Sequence, residues 1–328
     1  MGLVYHNGRF IPEEQIQKAT DSERVLRLLR SFLDANEPGI ARILVNTFRS
    51  QGNAITYKEL REAILAGDID PEWLADWMQD YSRFVVKYLQ PAWELAIATA
   101  ATEIERRFQP EWHFDLMGDG IRAWTETRSA EFITSVTNTQ LEGIRAVVRR
   151  AAVLDDMTVD ELARAIRPMI GLTAPQSAAN LKYYETLRSN GVSEKRAQDL
   201  AQRYAARQHR NRAYTIARTE LATAYNAGAH EGTLQAQAAG LLGECVKVWC
   251  TADDERVCKT VCLPLENTEW AMDDDITYKY TYKKTGKTVT RRINHSLDDP
   301  GAGLHPPAHP GCRCAVKYVE IAPPKYKN

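Results

Sequence analysis

The sequence predicts an α+β protein: long helices in the N-terminal two thirds, followed by a small mixed C-terminal domain rich in Cys and His. Two observations support this fold class. All six cysteines of the 328 residues lie between positions 245 and 314. Before residue 240, helix-start signals and helically spaced apolar residues recur without any cysteine. A hydrophobic content of 44% is enough to bury a core.

These shifts in composition divide the chain into four parts. We predict an N-terminal helical region over 1–157 and a second helical segment with a long basic helix over 158–240. A Cys/His-rich α+β part follows over 241–320. The last residues, 321–328, hold two prolines and two lysines and are predicted to form a flexible tail.

The first helices can be bounded from the sequence. Thr56 and Glu59 have the spacing of a capping box, and Gly67 is a suitable helix end. Asp70 followed by Pro71 predicts the next start. Proline lacks an N–H and clashes with the preceding turn, so Pro91 should kink or split the helical run over 73–108. Another long helix is predicted over 121–153.

Three more helices are predicted in the middle of the chain. Thr158 and Thr173 each begin a capping box, with Glu161 and Gln176 as the reciprocal partners. The first of these helices should end near residue 168 and the second near residues 190–191. Ser193 then caps a long amphipathic helix running toward residue 239.

The first half of that long helix is strongly basic. Over residues 195–218 only one acid accompanies its many cations. The basic face could simply be solvated, or it could contact a phosphate backbone or an acidic partner. No helix-turn-helix signature supports sequence-specific DNA binding. The candidate nucleic-acid contacts on this helix are Arg203, Arg207, Arg210 and Arg212.

Charge and targeting signals exclude other classes of protein. The formal net charge is −1, so the chain is no general polycation and any nucleic-acid role must be local. The N-terminus lacks a basic head followed by an apolar run, and no apolar stretch approaches membrane-spanning length. We therefore expect a soluble protein without a membrane partner, made in a reducing cytosol.

The cysteines are best interpreted as a metal site. Disulfides and free structural thiols are the alternatives, but a reducing compartment disfavours disulfides. Cys245 and Cys250 are expected to stand outside the site, in or beside a strand. Four protein ligands fill a tetrahedral zinc ion and leave no open position, so the prediction is one structural zinc. Five groups compete for those four places, either as four thiolates or with an imidazole replacing a C-terminal thiolate: Cys258, Cys262, His309, Cys312 and Cys314.

A β-hairpin is predicted between the two ligand clusters. Tyrosines alternate with polar residues over 277–282, and a Lys- and Gly-containing turn leads into a second alternating run over 288–292. Tyrosines beside cations could stack on and neutralise nucleic acid, although an arm that touches protein fits equally. The basic residues of the hairpin are Lys283, Lys284, Lys287, Arg291 and Arg292.

Three fragments of the second half resemble one known family. They are the run 212–220 followed by 224–228, the run 249–258 leading to Cys262, and the run 306–314, in which Pro-Pro-Ala-His-Pro precedes Gly-Cys-Arg-Cys. In this order and spacing they resemble phage head morphogenesis proteins, the minor head proteins of the phage Mu F type, over about residues 158–320.

The resemblance implies a minor capsid protein, a nonenzymatic structural component of the virion. Such a protein would assist procapsid assembly in few copies, contact the portal and the capsid or scaffold proteins, and handle packaged double-stranded DNA. It would lie in the head interior or near the portal, and in the host cytoplasm during assembly. The resemblance implies no small-molecule substrate.

The residues of these fragments can also be interpreted individually. Arg218 and Glu220 are two apart on a helix and cannot pair with each other, so each needs a partner elsewhere. With Thr219 they could anchor the long helix onto the Cys/His part through buried charge pairs, or form a polar site for a ligand. Around the cysteines, second-sphere hydrogen bonds to thiolates are expected. The remaining motif residues are Asn226, Trp249, Asp254 and Arg256.

Two other functions remain open. A metal-dependent nuclease could use the histidines and acids around residues 294–309, namely Asn294, His295, Asp298, Asp299, His305 and His309. Against it, these histidines lie in a proline-rich loop, and His305 is better interpreted as a surface or core residue. A plain nucleic-acid-binding module would use the basic helix and the hairpin.

Overall fold

A computed structural model describes residues 3–6, 9–77, 80–252, 254–293 and 303–324, with side chains described from residue 21 onward. Its helices are α1 Glu13–Ala54, α2 Tyr57–Ala66, α3 Pro71–Trp77, α4 Tyr81–Phe84, α5 Gln90–Glu105, α6 Asp119–Ala151, α7 Val159–Ile166, α8 Ala174–Ser189, α9 Glu194–Ala238 and α10 Cys262–Leu265. Its strands are β1 Leu3–His6, β2 Arg9–Pro12, β3 Glu244–Cys250, β4 Glu269–Ala271, β5 Thr277–Thr281, β6 Thr288–Arg292 and β7 Ala315–Ala322. Long helices followed by small antiparallel sheets confirm the α+β class.

Most predicted helix ends are confirmed by their caps. Thr56 and Glu59 form the full capping box, and α2 ends at Gly67, whose φ is 74°. α3 begins at Pro71, and Thr173 forms a full capping box at the start of α8. α9 follows Ser193 directly, as predicted.

The capping box predicted at Thr158 is wrong in one half. The Thr158 hydroxyl accepts a hydrogen bond from the Glu161 N–H at 3.1 Å. The Glu161 carboxylate does not turn back to the helix start. It accepts from the Tyr184 hydroxyl at 2.7 Å and from Arg188 Nε at 2.6 Å instead. A buried charge-assisted network is worth more than an exposed cap, so the tertiary partners take this carboxylate.

The predicted break at Pro91 is present. A single π-helical turn, Val85–Leu89, separates α4 from α5, and Pro91 lies in the first turn of α5. Proline has no N–H to complete an α-helical hydrogen bond to the preceding turn, which agrees with the π-helical turn at this place.

The residues form two compact units, each assembled from separate segments of the chain. The first comprises 1–37, 90–128 and 218–328, and the second comprises 38–89 and 129–217. The boundaries predicted after residues 157, 240 and 320 divide the chain into consecutive parts, whereas each of these units combines separate segments. The predicted boundaries stay a prediction.

The second unit has an all-helical core. Buried residues from α2, α3, α6 and α7 pack together, with Leu60, Trp77, Val148 and Ile166 among them. Gly143 permits the close approach of the chain at Leu172, since a Cβ at this position would lie 2.1 Å from the Leu172 carbonyl oxygen.

The first unit contains the sheets. β3 is the central strand of an antiparallel sheet of order β4–β3–β7. β5 and β6 form the predicted hairpin, with Tyr280 opposite Val289. β7 extends to Ala322, so the prediction of a flexible tail from residue 321 is wrong for its first two residues, and residues 325–328 lie outside the described part. Among the described helices, none is long and apolar enough to cross a membrane.

Candidate metal centre

Three buried cysteines of the first unit converge close to the start of β7. Cys262 opens α10, and Cys312 and Cys314 directly precede β7. Their sulfur atoms all lie within 4.8 Å of one another, and the Sγ atoms of Cys262 and Cys312 are 3.8 Å apart. Apolar side chains including Trp249 and Ile276 surround the group. Three soft thiol donors at this spacing could hold a metal ion.

His309 and Cys312 are presented by one tight turn. The Cys312 N–H donates to the His309 carbonyl oxygen at 3.1 Å, and Gly311 between them has a φ of 73°. Proline at the second position and a positive-φ glycine at the third match a type II turn. The sequence His-Pro-Gly-Cys thereby places both side chains at the ends of one turn. His309 Nε2 lies 3.2 Å from Cys262 Sγ.

Cys258, the other member of the first cysteine pair, does not belong to this group of three among the described residues. It is half-buried, and its sulfur lies 3.4 Å from the Thr260 hydroxyl. Burial by itself would raise the pKa of Cys258. Hydrogen bonds from Thr260 and from the backbone N–H groups of Val261 and Cys262 outweigh it and lower the pKa to about 7.

All six cysteines are free thiols, so the disulfide alternative is not supported. Cys245 and Cys250 are buried in β3, outside the group of three. Burial raises the pKa of Cys245 to about 11 and raises that of Cys250 as well, so both are poor thiolates. Hydrogen bonds from Cys262 and Cys314 lower the pKa of Cys312.

Arg218 and Glu220 of the long helix have other partners than expected. Arg218 donates to Glu37 of α1 through Nε and Nη2, both at 2.7 Å. Glu220 accepts from Arg128 of α6 at 2.6 and 3.0 Å. The expectation that both charges bind the Cys/His part is therefore wrong. Residues two apart point to nearly opposite sides of a helix, so each meets a different neighbouring helix.

Thr219, between them, does contact the Cys/His part. Its hydroxyl accepts a hydrogen bond from the Gly311 N–H at 2.9 Å. This links α9 to the turn that carries His309 and Cys312. Glu37 and Arg128 could not be predicted as these partners, since they lie 181 and 92 residues away from the charges that they neutralise.

The remaining motif residues support the site without touching its sulfur atoms in any described contact. The Asp254 carboxylate accepts two hydrogen bonds from Arg313, at 2.6 and 2.7 Å, and one from the Arg256 N–H. Because Arg313 separates Cys312 from Cys314, this pair fixes the segment between two candidate ligands. Trp249 is fully buried, and the Asn226 amide donates to the carbonyl oxygen one turn earlier in α9.

The predicted nucleic-acid contacts separate into exposed and buried residues. Arg203, Arg207 and Arg210 are exposed on α9. Arg212 is buried, donates to the Gly171 carbonyl oxygen and packs on the Phe48 ring, so its inclusion is wrong. On the hairpin the three lysines are exposed, whereas Arg291 packs on two tyrosine rings and Arg292 pairs with Asp275.

The nuclease candidates are mostly outside the described residues, namely Asn294, His295, Asp298 and Asp299. His305 is buried, with Nδ1 2.8 Å from the Pro306 carbonyl oxygen, which agrees with its interpretation as a core residue.

Comparison with known families places these features in context. The family described as Phage Mu protein F like protein matches residues 150–317, just over half of the chain. The chain belongs to this family. No curated protein and no solved structure matches the chain significantly. The family match covers Cys258, Cys262, His309, Cys312 and Cys314, and it confirms the resemblance to phage head morphogenesis proteins.

Proposed function

We propose that this protein is a nonenzymatic structural component of a phage head, which assists procapsid assembly by contacting the portal and the capsid or scaffold proteins. The observation that carries this proposal is the family match over residues 150–317, a family of head morphogenesis proteins. The site chemistry supports a structural role, because buried cysteines in an apolar cluster suit a metal that holds a fold together.

The metal we propose is one structural zinc ion. Thiolates with an imidazole are the donors that zinc prefers, and a full set of four protein ligands leaves no position for a reacting water. Zinc would join α10 to the segment before β7, which are about 50 residues apart in sequence. Closing such a long loop in a small sheet domain supplies stability that its limited core does not.

Co-expression with the portal and scaffold of the same phage tests the assembly role. We expect the protein to co-purify with procapsids, and particles assembled without it to be fewer or aberrant. A Cys314→Ser variant should lose incorporation, whereas Cys245→Ser, outside the candidate centre, should retain it. Particles of unchanged number, shape and infectivity without the protein would refute the proposal.

Contact with packaged DNA is a second candidate role, and one surface favours it. Lys182 of α8 and Arg203, Arg207 and Arg210 of α9 line a groove of about 600 Å³ that also contains Tyr183 and Tyr204. Among the described residues, no carboxylate pairs with these four cations. Arg207 lies 5.1 Å from the Tyr204 ring centre. Unpaired cations on one face attract the phosphates of a duplex without reading its sequence.

Salt-dependent binding of duplex DNA tests this surface. Replacing Arg203, Arg207 and Arg210 by Ser should lower the slope of log affinity against log salt by about 1 for each lost phosphate contact. The matched control replaces three exposed arginines that already pair with carboxylates, Arg122, Arg149 and Arg150. Equal slopes for the two triple variants would exclude this groove as the DNA-binding surface.

A further inference from the structure

We infer that the metal centre is a site of three thiolates and one imidazole, formed by Cys262, Cys312, Cys314 and Nε2 of His309. Cys258 lies outside it. This ligand set differs from both combinations that the sequence favours, since each of those keeps Cys258. The inference rests on the proposal that the centre binds zinc, and it names which groups bind.

The sulfur spacing fits a tetrahedral ion. With Zn–S bonds of about 2.3 Å, tetrahedral angles place two bound sulfurs about 3.8 Å apart. Cys262 and Cys312 have this separation, 3.8 Å. With a Zn–N bond of about 2.0 Å, a bound nitrogen and sulfur lie about 3.5 Å apart. His309 Nε2 and Cys262 Sγ are 3.2 Å apart. His309 is not in the group whose donor atoms all lie within 4.8 Å of one another, so on metal binding its ring must move more than about 1 Å closer to Cys312 or Cys314.

The histidine has the right nitrogen free for a metal. His309 Nδ1 lies 3.1 Å from the Pro310 carbonyl oxygen. A carbonyl oxygen only accepts, so Nδ1 carries the proton and Nε2 carries the lone pair. Metal-bound histidines commonly donate their other N–H to a backbone carbonyl, which fixes both tautomer and ring orientation. Nε2 is also the atom that faces Cys262.

Cys258 is already used by the turn that precedes α10. Its sulfur accepts from the backbone N–H groups of Val261 and Cys262 and contacts the Thr260 hydroxyl. Its carbonyl oxygen accepts from the Leu263 N–H at 3.0 Å. Such donors do not by themselves prevent a thiolate from binding metal. Cys258 is left out because no described contact joins its sulfur to the sulfur atoms of Cys262, Cys312 or Cys314, whereas His309 Nε2 lies 3.2 Å from Cys262 Sγ. The role of Cys258 is to close the turn that presents Cys262.

The ligand set connects the metal to the long helix. His309 and Cys312 are the ends of one turn, and the Gly311 N–H inside that turn donates to Thr219 of α9. If both ends of the turn bind the ion, the ion also holds this contact in place. A set with Cys258 in place of His309 would leave one end of the turn free.

Zinc content and cobalt spectra of the full-length protein test the assignment. We expect one zinc per chain in the unmodified protein and in Cys258→Ser. His309→Ala should bind zinc at least about 100-fold more weakly in chelator competition, since losing even a second-sphere partner costs about 10- to 100-fold. In the cobalt-loaded protein, Cys258→Ser should leave the thiolate-to-cobalt charge-transfer band unchanged, and His309→Cys should strengthen it through a fourth thiolate.

Alkylation gives an independent measurement. In the zinc-loaded protein, iodoacetamide should modify Cys258 and spare Cys262, Cys312 and Cys314. If Cys258→Ser loses zinc while His309→Ala keeps full zinc affinity, the ligand assignment is wrong. The proposal of a structural zinc would still hold in that case. Absence of any metal from the unmodified protein in reducing buffer would overturn the zinc proposal itself. Circular dichroism of each variant separates loss of a ligand from loss of the fold. If His309→Ala does not fold, the spectrum of cobalt-loaded His309→Cys decides between the ligand sets.

Discussion

Gly228 of α9 lies against the backbone of α5, and its replacement by alanine should destabilise the first unit. A Cβ at residue 228 would lie 2.4 Å from the Ile97 carbonyl oxygen and 2.5 Å from its Cα. Backbone atoms cannot rotate away, so the two helices must separate. Overpacking of this kind costs about 1–3 kcal/mol, and the tightness of the contact favours the upper end. Alanine offsets about 1 kcal/mol of it through its higher helix propensity. The net expectation is a loss of about 2 kcal/mol.

Gly39→Ala is the matched control, because it makes the same substitution inside a helix without a clash. Gly39 lies in α1, and among the described residues no atom falls within 4 Å of a Cβ built there. It should stabilise by about 0.5–1 kcal/mol. Hydrogen exchange should show amides of α5 and α9 opening about 30-fold more often in Gly228→Ala. Unchanged or slower exchange in that variant would refute the close-approach argument.

Three further predictions concern pH, DNA and the metal loop. The pKa of His209 is lowered to about 4 by burial, although its hydrogen bond to the Pro168 carbonyl opposes the shift. As pH falls from about 6.5 to 4, the His209 imidazole therefore takes up a proton in the unfolded state before it does so in the folded state. The free energy of unfolding should drop by on the order of 3 kcal/mol over that window. In urea unfolding at each pH, His209→Gln should flatten this slope, and an unchanged slope would contradict the burial argument. Arg212→Met should leave the salt slope of DNA binding unchanged, because Arg212 is buried; a reduced slope would mean that it reaches phosphate after all. Thr219→Val removes the acceptor for the Gly311 N–H, which costs about 1–2 kcal/mol. Release of zinc to a chelator should therefore become about 10-fold faster. An unchanged release rate would show that the turn carrying His309 and Cys312 does not depend on this contact.

Local signals in the sequence predicted much of the fold correctly. Capping residues act within one helical turn, so Thr56, Gly67 and Thr173 could be assigned without knowing the tertiary structure. The hairpin over 277–292 follows from alternation and a turn, which are equally local. Glu161 shows the limit of this reasoning: its spacing predicted a cap, but Tyr184 and Arg188 take the carboxylate.

Burial of the basic residues could not be predicted from spacing alone. Arg207 and Arg212 belong to the same basic run, yet one is exposed and the other is covered by Phe48 and bound to the Gly171 carbonyl. Whether an arginine faces solvent depends on which segment packs against its side of the helix. That segment is distant in sequence.

The sequence by itself determined the class of fold, the family and the five candidate metal ligands, because these depend on residue types and their order along the chain. Only the tertiary structure decided which groups meet. It placed Cys262, Cys312 and Cys314 together and gave Arg218 and Glu220 the partners Glu37 and Arg128. The physical reason is that metal coordination and ion pairing act over a few ångströms in space, and spacing along the chain does not fix distances between segments that meet only on folding.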